Sequence, residues 1–202
     1  MSIEKTLSAR KRGEFGKGAA HRLRAEGLVP GVYYNGKGDN ILLDVSAKEL
    51  ERLYFEIGST TVFNLEIDDN GTKTTHPAFF WEVQKHPYKK RFVHVDCYGV
   101  DLDQEVKVKV PLEFTGTARG VKVGGFMETY REYVWVAAKP MDMPARIVID
   151  VTDMGINEHV TVDKLAMPAG SRAIYDEAFT IVSVLTKNKD AAPAEGEEGA
   201  AE

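Results

Sequence analysis

Three residues in the run HVDC carry the most reactive chemistry in the chain: His94, Asp96 and Cys97. An imidazole, a carboxylate and a thiol this close can build a thiolate nucleophile, hold a metal, or present a polar pair for hydrogen bonding. Strand alternation separates these options. Residues i and i+2 of a strand point the same way, and the next residue points the other way. His94 and Asp96 therefore share a face, while Cys97 turns to the opposite face and into a core. The nucleophilic pair is not assembled. A zinc site would need His76 or His86 as further ligands, and the spacing matches no standard pattern. Two readings stay open for His94 and Asp96: a structural histidine with its partner, or an exposed pair that meets sugar hydroxyls and base edges.

A second constellation lies near the start, in RKR at 10–12 and GKGAAHRLRAEG at 16–27. Gly16-Lys17-Gly18 is not a nucleotide loop. The glycine pair Gly13 and Gly16 is one residue too short, and Gly18 stands where a metal-binding hydroxyl is needed. The small residues instead let a helix start approach a phosphate closely, with its free N–H groups directed at it. At 100° per residue Lys17, His21 and Arg24 share one face, Ala19, Ala20 and Leu23 another, and Arg22 projects to a third side. This is a basic ridge on a helix with a small apolar back. Residues 1–24 hold seven Lys/Arg against two acids in a chain of net charge −5. Residues 1–96 sum to +2 and residues 97–202 to −7. A basic patch on an acidic protein fits a polyanionic partner met at one face. The bland alternative is a solvated basic terminus. A second basic cluster, VQKHPYKKR at 83–91, surrounds a Pro turn and can extend the same surface.

These groups need elements to hold them. IEKTLSARK reads as a strand, Ala19–Glu26 as a helix stopped by Gly27, and VPGVYYN as a turn at Pro30-Gly31 entering a strand. DNILLDV is strand-like. Ser46 and Glu49 have capping-box spacing, and Leu50, Leu53, Tyr54 and Ile57 form one helical face up to Gly58. TTVFNLEID and TKTTHPAFFWEV flank the hairpin signal DNG at 69–71, and KRFVHVDCYGV is the next strand. Beyond residue 99 the pattern becomes all-β. VKVKVPLEF alternates strictly, YVWVAA, RIVIDV and FTIVSVLT follow, and Gly- and Pro-rich connections join them. GVKVGG at 120–125 reads as a flexible loop, and Phe126, Tyr130, Tyr133 and Trp135 as core. Residues 187–202 contain no large apolar side chain and read as a disordered acidic tail. The division is 1–98, 99–186 and 187–202. Cys97 is the only cysteine, so no intrachain disulfide forms, which fits a reducing cytoplasm. The N-terminus lacks the apolar core of a secretory signal, and no apolar run approaches the roughly 20 residues that span a membrane.

Three ordered blocks, RGEFGKGAAHRLRAEGLVPGVYYNG, EVQKHPYKKRFVHVDC and VKVKVPLEFTGTARGVKVGG, resemble the bacterial large-subunit ribosomal protein family that binds 5S rRNA. The likeness is to its long, two-domain form, also called the CTC or general stress protein form, over residues 5–185. The resemblance implies a mainly β protein with some α. Its N-terminal domain would be a six-stranded, barrel-like fold with short helices, similar to an anticodon-binding domain, and its C-terminal domain all-β. It implies 5S rRNA and the large ribosomal subunit as partners, with neighbouring ribosomal proteins in reach, and a monomer off the ribosome. It implies no enzymatic activity, cofactor, metal, membrane or small-molecule substrate. Carried over by position, the RNA-binding residues are Arg12, Lys17, His21, Arg22, Arg24, Tyr34, Gln84, His94 and Asp96. His21 stands where the family often has arginine, Cys97 where the motif usually ends in an aromatic, and Trp81 at a position that is often polar. The competing reading is a protein-interaction module of a stress response with an incidental basic terminus.

Overall fold

The computed structural model describes residue 3 and residues 5–186. The acidic stretch 187–202, expected to be disordered, lies outside the described residues. In chain order the elements are β1 (Thr6–Lys11), α1 (Lys17–Ala25), β2 (Leu28–Asn35), β3 (Asn40–Ser46), α2 (Ala47–Ile57), β4 (Phe63–Asp69), β5 (Thr72–Lys85) and β6 (Phe92–Gly99). These are followed by β7 (Val106–Thr115), α3 (Arg119–Lys122), β8 (Gly125–Thr129), β9 (Tyr133–Ala138), β10 (Ile147–Asp150), β11 (His159–Thr161), β12 (Ser171–Ala173) and β13 (Thr180–Thr186).

The first six strands close into a barrel in the order β1-β3-β2-β6-β5-β4. Closure removes the exposed edges that an open sheet would present. Two of its seams are parallel, β1 with β4 and β2 with β6. Alternation fills the interior with Leu7, Val45, Phe63, Leu65, Phe80, Val95 and their neighbours. Phe63 and Phe80 stack with centroids 4.3 Å apart. Each such side chain contributes about 1.5–3 kcal/mol by leaving water. The amphipathic α2 adds Leu50 and Leu53 to this core. Its end is set by Gly58 at φ 71°. The β4–β5 hairpin turns at Asn70 and Gly71, both at positive φ, as the DNG signal requires.

The chain divides into two compact units, which interleave along the sequence. Among the described residues, one holds those up to 113 with 133–147 and 166–176, and the other 114–132, 148–165 and 177–186. Beyond the barrel the strands form a four-stranded sheet, β10-β7-β9-β12, and a three-stranded one, β11-β13-β8.

Four local expectations are corrected. Pro30-Gly31 makes no turn, because β2 runs unbroken from Leu28 to Asn35. A Cβ on Gly31 would stand 2.7 Å from Val95 Cγ1 and 2.8 Å from the Val95 carbonyl oxygen, so the glycine serves the close β2–β6 approach instead. Ser46 occupies the N-cap of α2, but its side chain makes no capping hydrogen bond. GVKVGG is not a free loop. It contributes to α3 and to the start of β8, and Gly120 is buried, with a virtual Cβ 2.8 Å from the Ile156 nitrogen. Phe126, Tyr130, Tyr133 and Trp135 are exposed rather than core. On β9, strand parity faces Tyr133 and Trp135 outward, and the Lys109 ammonium lies over their rings at 4.9 and 5.1 Å.

Candidate nucleic-acid interface

The site is built on the outside of β6. Val95 and Cys97 point into the core and are fully buried, so His94, Asp96 and Tyr98 point out. Burial, followed by the neighbouring Asp96 charge, pushes the Cys97 thiol up to about 12. A thiol of that acidity holds no thiolate near neutrality, and it faces away from His94, so the nucleophile reading ends there.

Register then determines the neighbours. On one side, β5 sets Gln84 opposite His94 and Glu82 opposite Asp96. On the other, β2 sets Val32 opposite Asp96 and Tyr34 opposite Tyr98, and the two tyrosine rings lie 5.5 Å apart. Outward parity continues through β3, where Leu42 pairs with Val32, to Arg12, whose backbone N–H donates to the Leu42 carbonyl at 3.0 Å. Gln84, His94, Asp96, Tyr34 and Arg12 thus share one continuous outer wall. Burial first, then the Asp96 charge, raises the pKa of the half-buried Tyr34 hydroxyl above its ordinary value, so it is a weaker acid.

His94 Nδ1 lies 2.6 Å from Asp96 Oδ1, with both side chains 27% exposed. The ring N–H is not aligned for a hydrogen bond, so the buried Oδ1 has no partner. Arg12 is the most enclosed of the candidates. Its side chain is 11% exposed, and its Nε lies 3.8 Å from Asp44 Oδ1, a contact too long for a hydrogen bond. Neither atom has a hydrogen-bond partner. Burial holds the Asp44 carboxyl above the usual range, while Arg12 and then Arg10 pull it down.

Helix α1 brings the basic groups. Gly16 at φ 101° opens it without a side-chain cap, so its first N–H groups are not bound by a capping residue. Ala19 is buried, Ala20 and Leu23 are half-buried, and Lys17, His21 and Arg22 are exposed, as the 100° spacing places them. The helix packs on β2. Arg22 donates to Glu14 Oε2 at 2.9 Å, an exposed pair worth little. Arg24 reaches across to β6, its Nε donating to the Val93 carbonyl at 3.0 Å. That bond ends one residue before His94. It fixes the helix ridge beside the polar wall of the strand, on the same exterior.

Tyr98, Glu82 and Asp44 belong to this wall but were not singled out from the sequence. The i, i+2 rule that linked His94 to Asp96 extends to Tyr98. Glu82 required the β5–β6 register, including its bulge, and Asp44 required the closed barrel. Among the described residues no group of His, Cys, Asp and Glu is arranged to hold a metal ion, and no helix is long and apolar enough to cross a membrane.

Residues 7–97 match the model of the Ribosomal L25p family, and residues 105–188 match that of the ribosomal protein TL5 C-terminal domain. The large ribosomal subunit protein bL25 of Desulfovibrio desulfuricans is 54% identical over 98% of this chain and 100% of its own length. The bL25 of Lawsonia intracellularis is 44% identical over 92% of this chain and 94% of its own. That of Moorella thermoacetica is 35% identical over 90% and 87%. Both family models, in their order along one chain, and full-length relatives well above 30% identity lead to one assignment: the chain belongs to the Ribosomal L25p family, in the long two-domain form that carries the TL5-type C-terminal domain.

Proposed function

We propose that this protein is a structural component of the large ribosomal subunit that binds 5S rRNA through α1 and the outer wall of its N-terminal barrel, within residues 1–98. It acts on the ribosome, in the cytoplasm, and is not an enzyme. Its relatives are large ribosomal subunit proteins, and its one cysteine is buried. The observation that carries the RNA reading is the Arg24–Val93 bond, which joins the cationic helix to the His94–Asp96 strand in one surface.

The division of labour follows from exposure. Lys17 and Arg22 are solvent-facing cations suited to phosphates, which dominate affinity without reading sequence. His21, exposed on the same helix, joins them as a further hydrogen-bond donor. Arg12, largely enclosed beside Asp44, offers only the tip of its guanidinium. Gln84, His94 and Tyr34 supply donors and acceptors for the hydroxyls and base edges of a wide, shallow RNA minor groove. A carboxylate facing a phosphate backbone is repelled. Asp96 avoids this by directing Oδ1 at His94 and leaving the rest of the group to accept from a base amino group or a 2′-hydroxyl. A small turn of the imidazole would complete the His94–Asp96 hydrogen bond.

The test is filter binding of the full chain to 5S rRNA over a salt series. The doubly substituted Lys17→Ala/Arg22→Ala protein is expected to lower the slope of log K against log salt by about 1.8, near 0.9 per lost phosphate contact. Binding to 5S rRNA no tighter than to a transfer RNA would overturn the proposal and favour a protein-interaction module.

A further inference from the structure

The basic cluster at 85–91 is not absorbed by this interface. It encloses a groove between α2 and the β5–β6 hairpin, with a cavity volume of about 410 Å³. The floor is aromatic. Phe92 is buried there, with Tyr54 edge-on to it at 5.7 Å. Phe55 lies 6.4 Å from Phe92 and is 69% exposed. Tyr88, at the hairpin tip, is 93% exposed. Solvent-facing Phe and Tyr rings beside one cavity are costly to leave bare and give nothing to the core.

The charge around them is one-sided. The Lys85 ammonium lies over the Tyr54, Phe55 and Phe92 rings at 4.9, 5.4 and 5.5 Å. Lys89, Lys90 and Arg91 line the same groove against a single acid, Glu51. Among the described residues none of these four cations is in an ion pair. The hairpin tip is held in shape by His86, whose Nδ1 accepts from the Tyr88 and Lys89 backbone N–H groups at 3.2 Å each. The rings and charges are therefore presented by an ordered turn.

We infer that this groove is a second RNA site, binding an unpaired nucleotide by stacking its base on Phe55 or Tyr88 while Lys89, Lys90 and Arg91 meet the flanking phosphates. Aromatic faces beside cations bind single strands with little sequence preference, because every base has a π-face. The chemistry differs from that of the α1 wall, where the groups suit a duplex minor groove, and the two sites share no residue.

The probe is a fluorescein-labelled adenosine decamer, titrated with the full chain and followed by anisotropy. Tyr88→Ala and Phe55→Ala should each weaken it at least about fivefold, with Tyr88→Phe binding like the parent. Lys89→Ala/Lys90→Ala should lower the salt slope by about 1.4. Both aromatic side chains are exposed, so these variants keep the core intact. In the Lys17→Ala/Arg22→Ala background the decamer should keep the same dependence on Phe55 and Tyr88, so failure of the 5S rRNA reading would leave the groove standing, and the reverse. Three results overturn the inference: no decamer binding by the parent, binding indifferent to Phe55 and Tyr88, or displacement of the decamer by a glutamate decapeptide that binds more tightly and requires Tyr88.

Discussion

Arg24 does two things at once, and they separate by substitution. Its Nε holds the Val93 carbonyl at 3.0 Å, and its charge lies on the helix ridge. A hydrogen bond from a charged donor is worth about 1.5–3 kcal/mol when buried, and about 1 kcal/mol here because the side chain is half exposed. For a chain of this size a loss of 1 kcal/mol lowers the thermal midpoint by about 2–4 °C. Arg24→Ala should show that drop. It should also reduce the salt slope for 5S rRNA by about 0.9, so that its defect relative to the parent changes about 3.5-fold between 50 and 200 mM salt. Arg24→Lys keeps the charge and loses the guanidinium bond. It should keep the parent slope while binding more weakly, because the ridge is no longer fixed against β6. Filter binding at four salt concentrations, with calorimetric melting of the same samples, measures both quantities. An unchanged slope in Arg24→Ala would show that its charge meets no phosphate. An unchanged melt would show that the Val93 bond does not hold the helix, and the single-surface reasoning would fail.

Asp96→Ala should weaken 5S rRNA binding by about 1–3 kcal/mol with the salt slope almost unaltered, and tighter binding would mean that repulsion governs the carboxylate. The folded Cys97 thiol titrates at about 12, above its unfolded value, so its contribution is complete below the unfolded value and declines as pH rises toward the folded one. Urea denaturation should therefore show the parent losing up to about 1.4 kcal/mol per pH unit more than Cys97→Ala in that alkaline window, and equal slopes would contradict the burial. Native Cys97 should resist a thiol reagent at pH 8 and react once unfolded. Gly31→Ala has no room beside Val95 and should cost about 1–3 kcal/mol in urea denaturation.

Much of the candidate site was legible in local pattern. Alternation in HVDC put His94 and Asp96 outside and Cys97 inside, and the helical angle put Ala19, Ala20 and Leu23 on the packed side of α1. DNG announced the β4–β5 turn because two successive positive-φ residues have few other uses. What escaped depends on distant partners. Pro30-Gly31 looked like a turn because a tight turn and a close strand crossing both need glycine, and only the β2–β6 contact at Val95 distinguishes them. Trp135 and Tyr133 looked like core by residue type, and their outward parity emerges only from the register against β7. The enclosure of Arg12 beside Asp44 required barrel closure, since β1 and β3 are joined there across 32 residues of chain separation. Basic composition pointed to the end of the molecule proposed to bind RNA, while the Arg24–Val93 bond that aligns helix and strand left no mark in the sequence.

The most direct test is hydroxyl-radical footprinting of the full chain, free and bound to 5S rRNA, read by mass spectrometry at individual side chains. Tyr34, His94 and Tyr98 should lose reactivity on binding, while Tyr130, Tyr175 and Met127 keep theirs. Unchanged oxidation at Tyr34, His94 and Tyr98 in a saturated complex would contradict the assignment of the barrel's outer wall to the RNA.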